Sequence, residues 1–121
     1  DMLSLFWDEE DGGFYHYSHI SEKLIIKPKD YYDGAIPSGN SFAALALQNL
    51  LALTKDEKIY DILNKLFYSF GKSINEDPLA HMYSILALTA FDIWKNILKS
   101  VTSMLYYNII FYKKKNDDLG K

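Results

Sequence analysis

Residues 41–70 read SFAALALQNLLALTKDEKIYDILNKLFYSF, and the spacing of their apolar positions decides the fold class. Phe42, Leu45, Ala46, Asn49, Leu50 and Leu53 share one face at a 3.6-residue period, which predicts a helix with Ser38 or Asn40 as N-cap. Thr54-Lys55-Asp56 makes a short connection. Ile59, Ile62, Leu63, Leu66, Phe67, Phe70 and Ile74 then recur at three- and four-residue steps, so a second helix returns antiparallel to the first. Asp77-Pro78 has the chemistry of a further helix start, followed by an apolar stripe of Met82, Ile85, Leu86, Thr89 and Ala90. The chain is therefore expected to be mainly α, built from antiparallel helical hairpins over 41–91.

On the N-terminal side, Met2-Leu3-Ser4-Leu5-Phe6-Trp7 reads as the end of a helix over 1–8 with no cap of its own. Asp8 to Asp11 followed by Gly12-Gly13 has the chemistry of a turn that needs positive φ. The aromatic and β-branched runs Phe14 to Tyr17 and Lys23 to Lys27 suggest an irregular β-hairpin, and Pro28 to Gly39 a loop, so that 9–40 holds turn, hairpin and loop. On the other side, Ile93, Ile97, Val101, Met104 and Leu105 continue a helix. Tyr107 to Tyr112 is strand-like in composition, and Lys113-Lys114-Lys115 with Asn116-Asp117-Asp118 forms a charged, solvated tail, so 92–121 reads as helix, strand and tail of one partial domain.

Composition excludes several function classes. All 13 basic residues are lysine, so the planar guanidinium fork that reads phosphates and guanine edges is missing, and nucleic acid is not an expected partner. A formal charge of -3 gives little attraction to anionic membranes, and the longest apolar runs fall short of the roughly 20 residues of a membrane span, so no membrane partner is expected. With no cysteine there is no thiolate zinc site and no CxxC chemistry, and a cytoplasmic setting is the expectation.

Gly34 to Ser41 has the glycine and serine spacing of a phosphate loop, yet Asn40 stands where a lysine would reach the phosphates, so a capped helix entrance is the better reading. The acidic run 8–11 fails as a calcium loop because Gly12 and His19 occupy ligand positions. His16 and His19 would sit on opposite faces of a strand and His81 stands alone, so neither a metal nor any other cofactor is expected. Sugar chemistry needs a pair of carboxylates at a set separation, and Asp11 and Asp33, each beside a glycine, are the candidate catalytic pair; acids in turns also serve as Asx-type caps. The ten tyrosines and two tryptophans could line a carbohydrate groove or fill a core.

Asp11-Gly12-Gly13-Phe14-Tyr15, Leu24-Ile25-Ile26-Lys27-Pro28-Lys29 and the long run Asp33-Gly34-Ala35-Ile36-Pro37-Ser38-Gly39-Asn40-Ser41 together resemble the YyaL family, with Ala43-Ala44, Leu50-Leu51 and Tyr60 continuing the likeness across residues 5–91. That family is related to a spermatogenesis-associated thioredoxin-like protein. Its members join a thioredoxin-like domain to an (alpha/alpha) toroid of the six-hairpin glycosidase and sugar-epimerase type. The resemblance implies a C-terminal part of that toroid, with the remaining helices and the thioredoxin-like domain outside this chain; it assigns no reaction and carries over no catalytic residue. Two functional expectations follow. In the first the bends line a sugar-active or sugar-binding pocket, with Asp11 and Asp33 as catalytic carboxylates and Tyr15, Ser38 and Asn40 contacting a carbohydrate ligand. In the second the segment is a non-catalytic scaffold or interaction module, docking through apolar helix faces onto the rest of the toroid or onto further copies of itself.

Overall fold

Why the DGG turn folds back is visible in its backbone. Gly12 and Gly13 have φ of +73° and +89°, a region in which a side chain would be strained, and a Cβ on Gly12 would lie 2.7 Å from the Lys65 carbonyl oxygen. The turn can therefore press directly onto the helix that carries Lys65. A computed structural model, which describes residues 1–21 and 25–120, places this turn between α1 (Met2–Phe6) and a long loop that leads into α2 (Gly39–Thr54). There follow α3 (Glu57–Glu76), a single turn of 3-10 helix (Pro78–His81) and α4 (Met82–Leu119). The chain divides into two compact units, Asp1–Thr89 and Ala90–Lys121.

In the first unit α2 and α3 pack on each other across a two-residue link. Lys55, at φ +54°, takes the left-handed conformation that ends α2, and the Asp56 carboxylate accepts the Lys58 N–H at 2.9 Å to start α3. The core is the α3 stripe read from the sequence: Ile59, Leu63, Leu66, Phe67 and Phe70 are buried. Against Phe70 lies the ring of Tyr31, edge-on at 5.2 Å, and Trp7 meets Phe14 in the same manner at 5.0 Å.

Four expectations need correction. The opening run is not an uncapped helix end, because the Asp1 carboxylate accepts the Leu3 N–H at 3.1 Å and caps α1. Among the described residues no hairpin joins 14–17 to the second run; Lys23 and Leu24 of that run lie outside the described residues, and Ile25 and Ile26 are bends. The hydrogen bonds of Phe14 to His16 go elsewhere: Tyr15 N–H to the Phe6 carbonyl at 2.8 Å, His16 N–H to the Pro28 carbonyl at 2.9 Å, and Phe14 N–H to Asn40. One antiparallel bridge, Trp7 with Phe14, is all the pairing that results among the described residues.

The faces of α2 and α4 are also turned relative to expectation. Buried on α2 are Asn40, Ser41, Ala43, Ala44, Leu47 and Leu51, whereas Phe42 and Leu53 are 66% and 84% exposed. On α4, Ser84 and Ala87 are buried while Met82 and Leu86 face outward. α2 and the first turns of α4, through Phe91, are apolar nearly all round, so periodicity cannot select a side. Small residues select it, since Ala43, Ala44, Ser84 and Ala87 allow close approach of backbones, and the Ser41 and Ser84 hydroxyls meet at 2.7 Å. Finally, Tyr107 to Tyr112 continues α4 instead of forming a strand. Helix propensities differ by only about 0.7 kcal/mol per ordinary residue, so β-branched composition yields to the helix formers on either side.

Candidate functional site

The bends of the first unit converge around three buried polar side chains. Asp8 follows α1 and is 7% exposed. Its Oδ1 accepts the N–H groups of Glu10 at 2.9 Å and Asp11 at 3.3 Å, which closes the acidic turn, while its Oδ2 accepts the Tyr15 hydroxyl at 2.7 Å and pairs with the Lys29 ammonium. Lys29 also donates to the Gly12 carbonyl at 2.7 Å. Burial pushes the Asp8 carboxyl up, but the lysine, the tyrosine and the two N–H groups outweigh it and hold it far below the usual carboxylate range. The same contact, with burial and the neighbouring acids, pushes the Tyr15 phenol up to about 12. Lys27 and Lys29 lie over the Tyr15 ring, 5.6 and 5.1 Å from its centre.

Asn40, in the first turn of α2, ties this turn to the helix layer. Its Oδ1 accepts the Phe14 N–H at 2.6 Å, and its Nδ2 donates to the carbonyls of Phe14 at 2.9 Å and Asp30 at 2.8 Å. Only a carboxamide offers one acceptor and two donors in that arrangement. Asp33 does the corresponding work between helix starts. Its Oδ1 accepts the Ser38 N–H at 2.8 Å; its Oδ2 accepts the N–H groups of Tyr83 at 2.9 Å and Ser84 at 3.0 Å, so one carboxylate joins the entrance of α2 to that of α4. Ser38 caps α2 by accepting the Ser41 N–H at 3.1 Å. Burial would raise the Asp33 carboxyl, yet the Ser38 N–H, the nearby serine hydroxyls and the Ser84 N–H hold it below its ordinary value. His81, buried beside this joint, meets the Tyr31 carbonyl at 2.6 Å through Nδ1, which must carry the proton because a carbonyl can only accept.

Beside Tyr15 and Asn40 opens a cavity of about 330 Å³. Its floor is apolar, from Met2, Phe6, Phe14 and Ala43, and His16 and Asp30 bring polar groups to it. Of the five residues singled out from the sequence, Tyr15 and Asn40 line this cavity and Asp11, Asp33 and Ser38 do not. Asp11 is exposed on the turn; Asp33 and Ser38 are buried at the helix starts. Sequence reasoning missed Asp8, Lys29, His16 and Asp30 as members of this corner. Asp8 was hidden in a run of four acids, and only Lys29, within one of the stretches on which the family resemblance was read, carried any signal. Among the described residues no group of three or more His, Cys, Asp or Glu is placed to hold a metal, and no helix is long and apolar enough to cross a membrane.

Comparison with curated proteins finds spermatogenesis-associated protein 20 of Rattus norvegicus, 33% identical over 87 residues, and its counterparts in Homo sapiens and Mus musculus, 32% and 31% identical over the same length. The matched stretch is 71% of this chain but 11% of each of those proteins, so the chain spans about a tenth of the relatives it matches. The likeness supports a relationship to the spermatogenesis-associated proteins to which the motifs pointed. No protein-family model matches the chain. No solved structure matches it either.

Proposed function

We propose that this chain is a structural corner of a helical toroid of the six-hairpin glycosidase type, a non-catalytic scaffold segment that accompanies a thioredoxin-like domain in its parent protein. The observation that carries this reading is the saturation of the motif residues. Tyr15, Asp33, Ser38 and Asn40 each direct their polar atoms to groups of this same chain, five of those contacts being backbone N–H groups that would otherwise be orphaned at turns and helix starts. A general acid needs a raised pKa and a reachable proton; Asp33 has a lowered one and no free oxygen. The relationship to far longer relatives and the uncovered apolar faces of Phe42, Leu53, Met82 and Leu86 fit a segment that packs against further helices.

A second reading, a carbohydrate pocket, is favoured by the cavity, where the rings of Phe6 and Phe14 lie near His16 and Asp30. Isothermal titration with monosaccharides and short glycans separates the two. The scaffold reading expects no saturable heat, and Asp11→Ala in the full-length parent leaves its activity unchanged. Saturable binding abolished by Gly39→Phe, whose side chain would enter open space at the cavity without backbone strain, would establish the pocket and remove the scaffold reading.

A further inference from the structure

The sequence holds two Asp-Gly pairs, Asp11-Gly12 and Asp33-Gly34, and the fold treats them in opposite ways. Such a pair is prone to a reaction of its own, because with no Cβ beside it the glycine nitrogen can reach the aspartate carboxyl. The carboxyl must be free to turn onto that nitrogen and able to take up a proton, since a carboxylate is a poor electrophile. Asp33 meets neither condition. Its oxygens accept the N–H groups of Ser38, Tyr83 and Ser84 in a buried joint, so turning would orphan all three. Burial would raise its carboxyl, yet these contacts hold it below the ordinary value and so keep it ionised. Asp11 lies exposed on its turn, and its carboxylate makes no hydrogen bond or ion pair with the described residues. The glycine N–H is engaged in both pairs, to the Asp8 carbonyl at 3.1 Å and to the Ile36 carbonyl at 3.2 Å, so it is the carboxyl that separates them.

We propose that Asp11 is a site of spontaneous isomerisation to isoaspartate in the folded protein, and that Asp33 is protected from it. The Gly12 nitrogen attacks Cγ of Asp11, and the new C–N bond forms as the carboxyl hydroxyl leaves with the amide proton as water, which gives a five-membered imide. Water then adds to the main-chain carbonyl of that ring and breaks its bond to nitrogen. The chain now runs through Cγ, one methylene longer, and the former main-chain carbonyl carbon bears the free carboxylate. One water leaves and one enters, and no other reactant is needed. This lengthening falls where the turn has no room for it. Gly12 sits so close to α3 that a Cβ on it would lie 2.7 Å from the Lys65 carbonyl oxygen. The turn is pinned by the Asp8 N–H on the Gly13 carbonyl at 2.9 Å, the Lys65 ammonium on the Glu9 carbonyl at 2.8 Å and the Lys29 ammonium on the Gly12 carbonyl at 2.7 Å. A longer backbone between Asp11 and Gly12 cannot keep all of these contacts together, so isomerisation weakens the corner.

To test this, the full chain is aged in buffer at mildly acidic and at neutral pH, folded in one arm and unfolded in urea in the other. It is then digested and sequenced by electron-transfer fragmentation, which separates isoaspartate from aspartate at equal mass. In the folded arm isoaspartate should accumulate at Asp11, faster at the lower pH, and not at Asp33; in urea both positions should convert. An Asp11 that stays intact in the folded chain overturns the proposal, as does an Asp33 that converts there at the pace of Asp11. The consequence for the turn is read separately, in a Trp94→Phe background where Trp7 fluorescence follows urea unfolding. Asp11→Glu, which would have to close a six-membered ring and does so far more slowly, should keep its urea midpoint on ageing, while that of the chain with Asp11 falls as isoaspartate accumulates. Equal midpoints for the fresh and the isomerised chain would show that the turn accommodates the longer backbone and overturn the weakening of the corner.

Discussion

The two units solve the problem of burial in opposite ways. In the first, the helices are locked by polar side chains whose every buried nitrogen and oxygen, among the described residues, has a hydrogen-bond partner. In the second, one helix carries large apolar side chains that stand mostly in solvent, from Ile93 at 55% exposed to Phe111 at 71%. Apolar content alone therefore does not tell where stability resides. The first unit depends on a few directional contacts at its bends, and the second leaves most of its large apolar side chains exposed.

The contrast is broken most forcefully at Asp33. Asp33→Ala leaves the N–H groups of Ser38, Tyr83 and Ser84 without an acceptor in a buried joint, and each orphaned group costs about 1 to 3 kcal/mol. The expected loss in urea unfolding is about 3 kcal/mol or more, with Asp33→Asn, which keeps one acceptor oxygen, falling between that variant and the unaltered chain. A loss under about 0.5 kcal/mol, typical of a surface site, would mean that water replaces the carboxylate and that the corner is not locked by it.

Protonation perturbs the same joints more gently. Asp8 and Asp33 both have folded-state values below their unfolded ones, so their contribution to stability is complete above pH about 4 and is lost as pH falls through the lowered values. Tyr15 has the opposite sign: its folded value is raised to about 12, so its contribution is complete below about 10 and disappears as pH climbs from there. Stability against urea should thus fall at both extremes. In Lys29→Met the acid limb should flatten, because removing the ammonium takes away the strongest hold on the Asp8 charge. An unchanged acid limb would show that Asp8 is held by its backbone contacts and not by the ion pair.

How far the sequence reaches depends on what kind of physics each region uses. The α3 stripe was legible because Glu57 to Glu76 is strongly amphipathic, and Leu63, Leu66 and Phe70 fall where the period puts them. On α2 and α4 the period was ambiguous, and the side that packs was chosen by Ala43, Ala44, Ser84 and Ala87, whose smallness is a tertiary property. Ser38 could be read as a cap because capping is local. Asn40 could not be read as a bridge to Phe14, 26 residues away, nor Asp33 as a cap for α4, 50 residues on. Long-range polar contacts leave no periodic trace, which is why residues picked out as candidate ligand contacts and carboxylates could be named from the sequence while their surroundings could not.

The smallest effect is expected in the second unit and gives the sharpest form of the contrast. Each unit holds one of the two tryptophans, Trp7 in the first and Trp94 in the second, so in a Trp94→Phe background the fluorescence of Trp7 follows the first unit alone. Met104→Gln changes a side chain that is 61% exposed, and the unfolding free energy seen by Trp7 should change by no more than about 0.5 kcal/mol. Leu63→Ala, at a site with no exposure, should cost about 2 to 5 kcal/mol in the same measurement. If Met104→Gln shifted the Trp7 transition by a comparable amount, the two units would unfold as one cooperative body, and the exposed stripe would be contributing to the stability of the corner itself.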